Sequence, residues 1–325
     1  MNKTWIHTVN QKFKAAEKIL VVSHIRPDGD AVGSALGLGL SLQLSGKQVQ
    51  MVLSDGVPPS FRHLSGADQL RHHPVGEFDL ICVVDCSDMQ RTGNALDGYP
   101  QPDLNIDHHI TNLHFARINL VNPQAVATAE ILTELILAIG LPMPPPVAAA
   151  LLTGIITDTL GFRTSNIQPD TLRLAAKLME TGVDMPELYR RALITRSFEA
   201  TRFWGAGLSK LERDGRLVWA TLSMDDRKAA GYNGRDDADL INVLASIEDA
   251  DIALIFVEQP NHHVKVSWRA QSGFDVSQVA LKFGGGGHPP ASGADITGNL
   301  DDVQARVLAA TRNLLYPEPA RQLES

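Results

Sequence analysis

Short, wholly apolar runs punctuate the first half of the chain, and each is bounded by a stretch of different period. Ile19 to Ser23, Val49 to Leu53, Leu80 to Val84 and Leu104 to Ile106 have the length and continuity of buried strands. Around them, Trp5 to Glu17 and Ala31 to Leu44 carry apolar residues at helical spacing, the second stopped by Ser45-Gly46. Ala125 to Ile139 is helical as far as Gly140-Leu141-Pro142. Val147 to Ile156 reads as a helix running into Asp158, and Thr171 to Glu180 as another. Strands alternating with helices predict a parallel sheet with helices on both faces.

The second half has its own pattern. Met185 to Phe203 is polar and rich in arginine (Arg190, Arg191, Arg196, Arg202), which suits a connecting helix or linker. Leu217 to Ser223, Ile252 to Glu258 and Val264 to Arg269 read as strands, the last after a turn at Gln259-Pro260-Asn261. Asp237 to Ile247, Asp275 to Leu281 and Leu300 to Leu314 read as helices, and Tyr316 to Ser325 as a frayed tail. A chain of 325 residues exceeds one ordinary core. The expected organisation is an N-terminal domain over residues 1–186, a linker over 187–203 and a smaller C-terminal α/β domain over 204–325.

Composition narrows the class. Apolar residues make up 44% and charged residues 20%, as in a soluble globular protein. The net charge of −8 argues against a broad basic face coating long duplex DNA, but allows a small anionic substrate held by a local patch and cations. The only cysteines are Cys82 and Cys86, so a disulfide scaffold is excluded and a reducing compartment is expected. Four residues apart on a predicted strand, they should share a face, as small buried residues or as a thiolate metal pair. The N-terminus lacks a signal-peptide pattern, and no apolar run approaches the roughly 20 residues of a membrane span. A cytoplasmic location is the expectation.

The chemistry concentrates where the predicted strands end. His24, Asp28 and Asp30 follow the first strand, with Pro27 and Gly29 allowing a tight loop. Asp30 also precedes a helix, where it could serve as an N-cap. Asp85 closes another apolar strand, and the two oxygens of its carboxylate suit it to bridge two ions; Asp88 reads as a turn residue. Asp107-His108-His109 follows a short strand. Adjacent side chains on extended backbone point oppositely, so one histidine should bind metal while the other faces substrate or an outer shell. Asp107 could orient a histidine through its ring N–H. Asp158 at a helix C-terminus opposes the helix dipole unless a cation lies near. In an open α/β sheet these ends converge, and so many anionic groups cannot share a pocket without cations. A two-metal site is the reading, and oxygen plus imidazole donors favour a harder ion. His72-His73 and His262-His263 read as exposed loops.

Gly284-Gly285-Gly286-Gly287-His288 is bounded by a predicted helix and by Pro289-Pro290 rather than by polar filler. Four glycines can present bare N–H groups to an anion. With Lys265 and Arg269 on the preceding strand, a phosphate or carboxylate clamp is expected. No P-loop is present over Leu38 to Lys47, and no G-x-G-x-x-G is in register over Val32 to Leu40.

Taken in order, His24-Ile-Arg-Pro-Asp28-Gly-Asp30, Asp85, Asp107-His108-His109 and Asp158 resemble the four-motif set of the DHH phosphoesterase superfamily. Gly284 to His288 resembles the GGGH signature of the DHHA1 domain that follows it. The resemblance implies an N-terminal parallel-sheet DHH domain and a smaller C-terminal α/β DHHA1 domain. It implies two Mn²⁺ per chain, with Mg²⁺, Fe²⁺ or Co²⁺ as alternatives. His24, Asp28 and Asp85 would bind one ion; Asp30, Asp85, His108 and Asp158 would bind the other. His109 is carried over as a phosphate contact and, with Asp107, forms the catalytic pair. Arg269, Gly284, Gly285, Gly286, Gly287 and His288 are carried over as the substrate clamp.

Within that family the compact form is similar to the nanoRNase/pAp phosphatase (NrnA-like) group. Arg227-Lys228-Ala229 does not match the Arg-Lys-Lys cluster of family II pyrophosphatases. Ala270 follows Arg269 where that group often has serine. The implied activity is hydrolysis of short single-stranded oligoribonucleotides and 3′-phosphoadenosine 5′-phosphate (pAp) by a two-metal-activated hydroxide. Cleavage of cyclic or linear dinucleotides is the alternative within enzymes, and a catalytically silent nucleotide-binding module the alternative of another class. No membrane and no long duplex DNA is expected as partner, and a homodimer is left open.

Overall fold

The computed structural model describes residues 3–316. The chain divides into two compact units, with the division between Thr195 and Arg196. The expected frayed tail lies, from residue 317 on, outside the described residues. Among the described residues, no helix is long and apolar enough to cross a membrane.

In unit 1 the elements run α1 (Lys3–Ala15), β1 (Lys18–Val22), α2 (Gly29–Leu44), β2 (Gln48–Val52), β3 (Leu70–Arg71), β4 (Leu80–Val84), β5 (Leu104–Asp107), β6 (Ile118–Val121), α3 (Thr128–Ile139), α4 (Pro145–Asp158), α5 (Pro169–Met179) and α6 (Met185–Tyr189). The six strands form one parallel sheet in the order β3-β2-β1-β4-β5-β6. Strand order reverses between β1 and β4, and the crevice beyond their carboxyl ends is where such sheets bind ligands. His24 and Asp85 sit just past those two ends.

Residues of β1 alternate between two cores. Ile19 and Val21 enter the larger one, which all six helices join. Leu20 and Val22 enter a smaller one, completed by Cys86, Ala95, Leu96 and flanking Phe78, Tyr99 and Phe115. The expectation of helices on both faces is thus met on one face by α-helices, while the 86–99 segment and Phe115 cover the other. Cys82 lies in the larger core and Cys86 in the smaller. The expectation that the cysteines share a face is therefore corrected: the strand ends at Val84, and Cys86 turns away. Burial pushes both thiols up, Cys86 to about 12, and in separate cores the two do not meet as a metal pair.

Glycines set the approach of α2 to α4. A Cβ on Gly29 would lie 2.3 Å from the Thr157 hydroxyl, and one on Gly33 would lie 2.4 Å from the carbonyl oxygen of Ala150. The i, i+4 spacing of Gly29, Gly33 and Gly37 puts a smooth stripe along one side of α2. Helix α4 runs antiparallel along that stripe, so its C-terminal Asp158 arrives beside the N-terminus of α2. After α6 the chain makes a π-helical turn over Arg190–Ile194, with Glu187 pairing to both Arg190 and Arg191.

Unit 2 runs α7 (Phe198–Leu208), β7 (Glu212–Asp214), β8 (Leu217–Leu222), α8 (Met224–Ala230), α9 (Leu240–Leu244), β9 (Ile252–Gln259), β10 (His263–Ala270), α10 (Ser277–Lys282), β11 (Gly286–His288), β12 (Ala291–Thr297) and α11 (Leu300–Leu315). Its sheet has the order β11-β12-β10-β9-β8-β7, with only β8 and β9 parallel among its neighbours. On β9, Ile252, Leu254 and Phe256 face the α10–α11 core, while Ala253, Ile255 and Val257 face the α7–α9 core. Val264, Val266 and Trp268 of β10 are buried, which leaves Lys265 and Arg269 on the strand's other face. His262 is exposed in the β9–β10 turn, but His263 is half-buried on β10, its Nδ1 3.1 Å from Asp295 Oδ1. His263 is thus a strand residue rather than the exposed loop residue expected.

Candidate metal centre

Asp28 caps α2. Its Oδ1 accepts the amides of Asp30 and Ala31, both at 3.0 Å. The cap is therefore Asp28, and Asp30 stands inside the first turn, because the helix begins at Gly29 rather than Ala31. Capping uses one oxygen of Asp28 and leaves Oδ2 facing His24 Nε2 at 3.8 Å.

The ring of His24 is set by its own neighbour, with Nδ1 2.9 Å from the carbonyl of Ile25. Nδ1 therefore donates to that carbonyl, and Nε2 is the nitrogen turned to the carboxylates. That Nε2 is buried without a hydrogen-bond partner, although Asp85 Oδ2 lies 3.4 Å away. A buried imidazole nitrogen facing two carboxylate oxygens is a donor set that a divalent cation suits.

Asp85 holds a left-handed backbone, φ 53°, an uncommon conformation for a residue with a side chain. Its amide donates to the Ile106 carbonyl at 2.9 Å. Oδ1 accepts the hydroxyl of Thr128 at 3.0 Å and lies 3.7 Å from His108 Nε2. Burial alone would raise this carboxyl. The imidazoles of His24, His109 and His108 outweigh it and hold the group well below the usual carboxylate range.

Asp30 reaches the N-terminus of α3. Its Oδ2 accepts the Thr128 amide at 2.6 Å, and Oδ1 accepts the Ala129 amide at 2.9 Å and the Ser34 hydroxyl at 3.1 Å. These bonds explain why α3 starts at Thr128 and not at Ala125, since both amides must stay free of the preceding turn. Burial, then the charges of Asp85, Asp158 and Asp28, push Asp30 well above its ordinary value. Asp158 is raised in the same way by burial, Asp28 and Asp85.

His108 Nε2 lies 3.3 Å from Asp158 Oδ2, 3.7 Å from Asp85 Oδ1 and 4.0 Å from Asp30 Oδ2. His109 instead turns Nδ1 onto Asp107 Oδ1 at 2.7 Å. His108 thus lies among three carboxylates, while His109 is oriented by Asp107, with Asp85 Oδ1 at 3.8 Å. Burial pulls His109 down, but the bond and charge of Asp107 and the charge of Asp85 raise it overall. Asp107 is lowered, its burial outweighed by His109.

His24, Asp28 and Asp85 offer ligand atoms within 4.8 Å of one another, and so do Asp30, Asp85 and His108. The two clusters share Asp85, and Asp158 closes on His108. These residues could hold two divalent ions with Asp85 between them. Asp88 does what a turn residue does, accepting the Arg91 amide at 3.0 Å. His72 and His73 are exposed. Thr128, Ser34 and Asn112 escaped the sequence reading; for Thr128 the signal was a small polar residue opening an apolar helix.

In unit 2, Arg269 directs Nε to Asn242 Oδ1 at 3.3 Å and a terminal nitrogen to the Trp268 carbonyl at 3.0 Å. The glycines differ from the expectation of four free amides. Gly284 and Gly285 donate to the Leu281 and Ala280 carbonyls at the end of α10. Gly286, Gly287 and His288 form β11 against β12. Gly285 and Gly287 are demanded by close packing, since a Cβ there would meet the Gly293 and Ala291 carbonyls at 2.2 and 2.5 Å.

Residues 18–155 match the DHH family, N-terminal domain, and residues 215–313 match the DHHA1 domain. The chain belongs to the DHH family. It is 36% identical over 315 residues to the bifunctional oligoribonuclease and PAP phosphatase NrnA of Thermus thermophilus, a match spanning 94% of this chain and 93% of that protein. It is 29% identical to the protein of that description from Mycoplasma genitalium, over 97% of this chain and all of the other. Among solved structures it is similar to an exopolyphosphatase-related protein from Bacteroides fragilis, with TM-score 0.86, 25% identity and 97% coverage of each chain.

Proposed function

We propose that the chain is a metal-dependent phosphoesterase that hydrolyses short oligoribonucleotides and pAp. The observation that carries this reading is the buried, unpartnered Nε2 of His24 facing Asp28 and Asp85, within a ring of carboxylates that share Asp85. Relatives named for both activities cover nearly the whole chain and support the choice of substrates.

His24, Asp28 and Asp85 are assigned to one ion, and Asp30, Asp85, His108 and Asp158 to the other. Mn²⁺, the ion the family resemblance implies, is the proposed metal; oxygen and imidazole donors without thiolate suit it, as they suit Mg²⁺ or Fe²⁺. Bound there, such ions neutralise phosphoryl oxygens and make water nucleophilic near neutral pH. The protein's own contributions are separable. Asp85 fixes the spacing of the two ligand sets. Asp107 holds the Nδ1 proton of His109, and its charge favours a second proton on Nε2, the donor that a phosphoryl oxygen needs. Arg269 and His288 are assigned to anion binding in the second domain, with Gly284 to Gly287 as the turn and strand that position His288, and the metal chemistry to the first.

Purified protein stripped with chelator and reloaded with Mn²⁺ tests the reading. Turnover of pAp and of a linear dinucleotide, absent before reloading, is the expected result. Turnover of a cyclic dinucleotide alone would transfer the assignment to that substrate class. Fewer than one ion bound per chain and no turnover would leave a silent binding module.

A further inference from the structure

Asn112 lies five residues beyond Asp107 and is nearly buried, in contact with both strand ends that carry the centre. Its Oδ1 accepts the amide of His114 at 2.7 Å, which fixes the flip of the side chain. The NH₂ group must then face inward. It donates to Asp107 Oδ2 at 2.6 Å and to Asn105 Oδ1 at 2.8 Å, and lies 3.2 Å from the carbonyl of Cys86. Asn105 is itself fully buried and anchored, its amide 3.2 Å from the same Cys86 carbonyl.

The consequence for Asp107 is specific. A fully buried carboxylate has each oxygen matched to one donor, Oδ2 to Asn112 and Oδ1 to His109. The plane of the carboxylate is thereby fixed, and with it the ring of His109. Cys86 follows Asp85, and its carbonyl also takes the Asn105 amide at 3.2 Å, so the loop that carries Asp85 keeps an anchor without Asn112.

We propose that Asn112 is a positioning residue, which locks Asp107 so that His109 keeps its Nδ1–H on that carboxylate and the Nε2 edge of its ring turned to the reacting phosphoryl group. This rests on the phosphoesterase reading for the purpose of the lock, but not for the lock itself. Asn112 touches no assigned metal ligand through its side chain, so its removal should separate His109 from metal binding.

The test uses the full chain loaded with Mg²⁺ and labelled with ¹⁵N-histidine. In long-range ¹H–¹⁵N spectra the His109 ring, identified by its loss in His109→Gln, should show a protonated Nδ1. In Asn112→Ala that ring should move toward mixed tautomers. With Mn²⁺, kcat for pAp should fall by about 10–100-fold while KM and Mn²⁺ affinity stay within about threefold, the range typical of outer partners that orient a working group. Should Asn112→Ala lose its circular-dichroism spectrum, Asn112→Ser carries the same readouts. An unchanged His109 tautomer overturns the proposal, and so does a loss of Mn²⁺ affinity that matches the loss of kcat. If the wild type hydrolyses no phosphoester, the functional reading fails, yet the spectra still decide the role of Asn112.

Discussion

The hydroxyl of Thr128 donates to Asp85 Oδ1 at 3.0 Å, while the amide of the same residue donates to Asp30 Oδ2 at 2.6 Å. One residue at the start of α3 thus fixes two carboxylates, Asp30 of one ligand set and Asp85, which is shared by both. The hydroxyl matters more than its size, because it selects which oxygen of Asp85 faces Thr128. Thr128→Val keeps the shape and removes the donor. Mn²⁺ affinity should fall by about 10–100-fold, the usual cost of losing an outer-shell partner. Thr128→Ser should recover most of it. Titration calorimetry on protein of unchanged circular dichroism checks both.

Asp85 and Asp88 offer a second contrast, three residues apart. Asp85 lies within 4 Å of three histidines, whereas Asp88 accepts the Arg91 amide in a turn. Asp85→Asn should abolish turnover and leave less than two ions per chain by mass spectrometry. Asp88→Asn should keep metal content unchanged and turnover within a few-fold. Equal losses in the two variants would remove the assigned role of Asp85.

The centre was legible because each of its residues stands at the end of an apolar run, and the parallel sheet forces such ends together. His24, Asp85 and Asp107 needed only that rule. The identity of the metal-facing histidine was not legible, because alternation gives two directions without saying which is inward. Residues 118–121, which form β6, were missed because their half-buried positions lack a clean period. The glycine run misled in detail: Gly284 and Gly285 close α10, and Gly285 and Gly287 admit β12, a demand that depends on a strand 291–297 of small residues. The stripe of Gly29, Gly33 and Gly37 was present in the sequence, but its meaning lay in α4, a hundred residues away.

That stripe supports a third expectation. At Gly33 a methyl group would meet the Ala150 carbonyl, a backbone atom that cannot rotate aside. Gly33→Ala must push α4 off α2 and carry Asp158 away from the carboxylates. The cost should be about 1–3 kcal/mol, with weaker Mn²⁺ binding. At Gly205 in α7 an added methyl group would have nothing within 4 Å, and the φ of that residue is not positive. Gly205→Ala should stabilise by about 0.4–1 kcal/mol. Urea unfolding of each variant gives the signs, and two destabilised proteins would contradict the packing argument.

The crowding of carboxylates fixes how metal-free protein responds to pH. Asp30 and Asp158 are raised in the folded state, above an unfolded value of about 3.9. Folding therefore favours their protonated forms. That contribution is complete below about pH 4 and is lost as the pH rises through the raised folded values. His109, also raised, adds the same sign as the pH climbs past about 6.5. Asp85 and Asp107 are lowered, so their contribution is present above about pH 4 and disappears only at lower pH. From about pH 5 upward, Asp30, Asp158 and then His109 make chelator-stripped protein less stable as pH rises, while Asp85 and Asp107 add no slope there. Divalent ions supply the charge the carboxylates lack, so the loaded protein should escape this slope. Scanning calorimetry of stripped and Mn²⁺-loaded samples across that range should show the gap in Tm widening with pH. A gap that stayed constant would mean that the carboxylates around Asp85 do not titrate as one cation-demanding cluster.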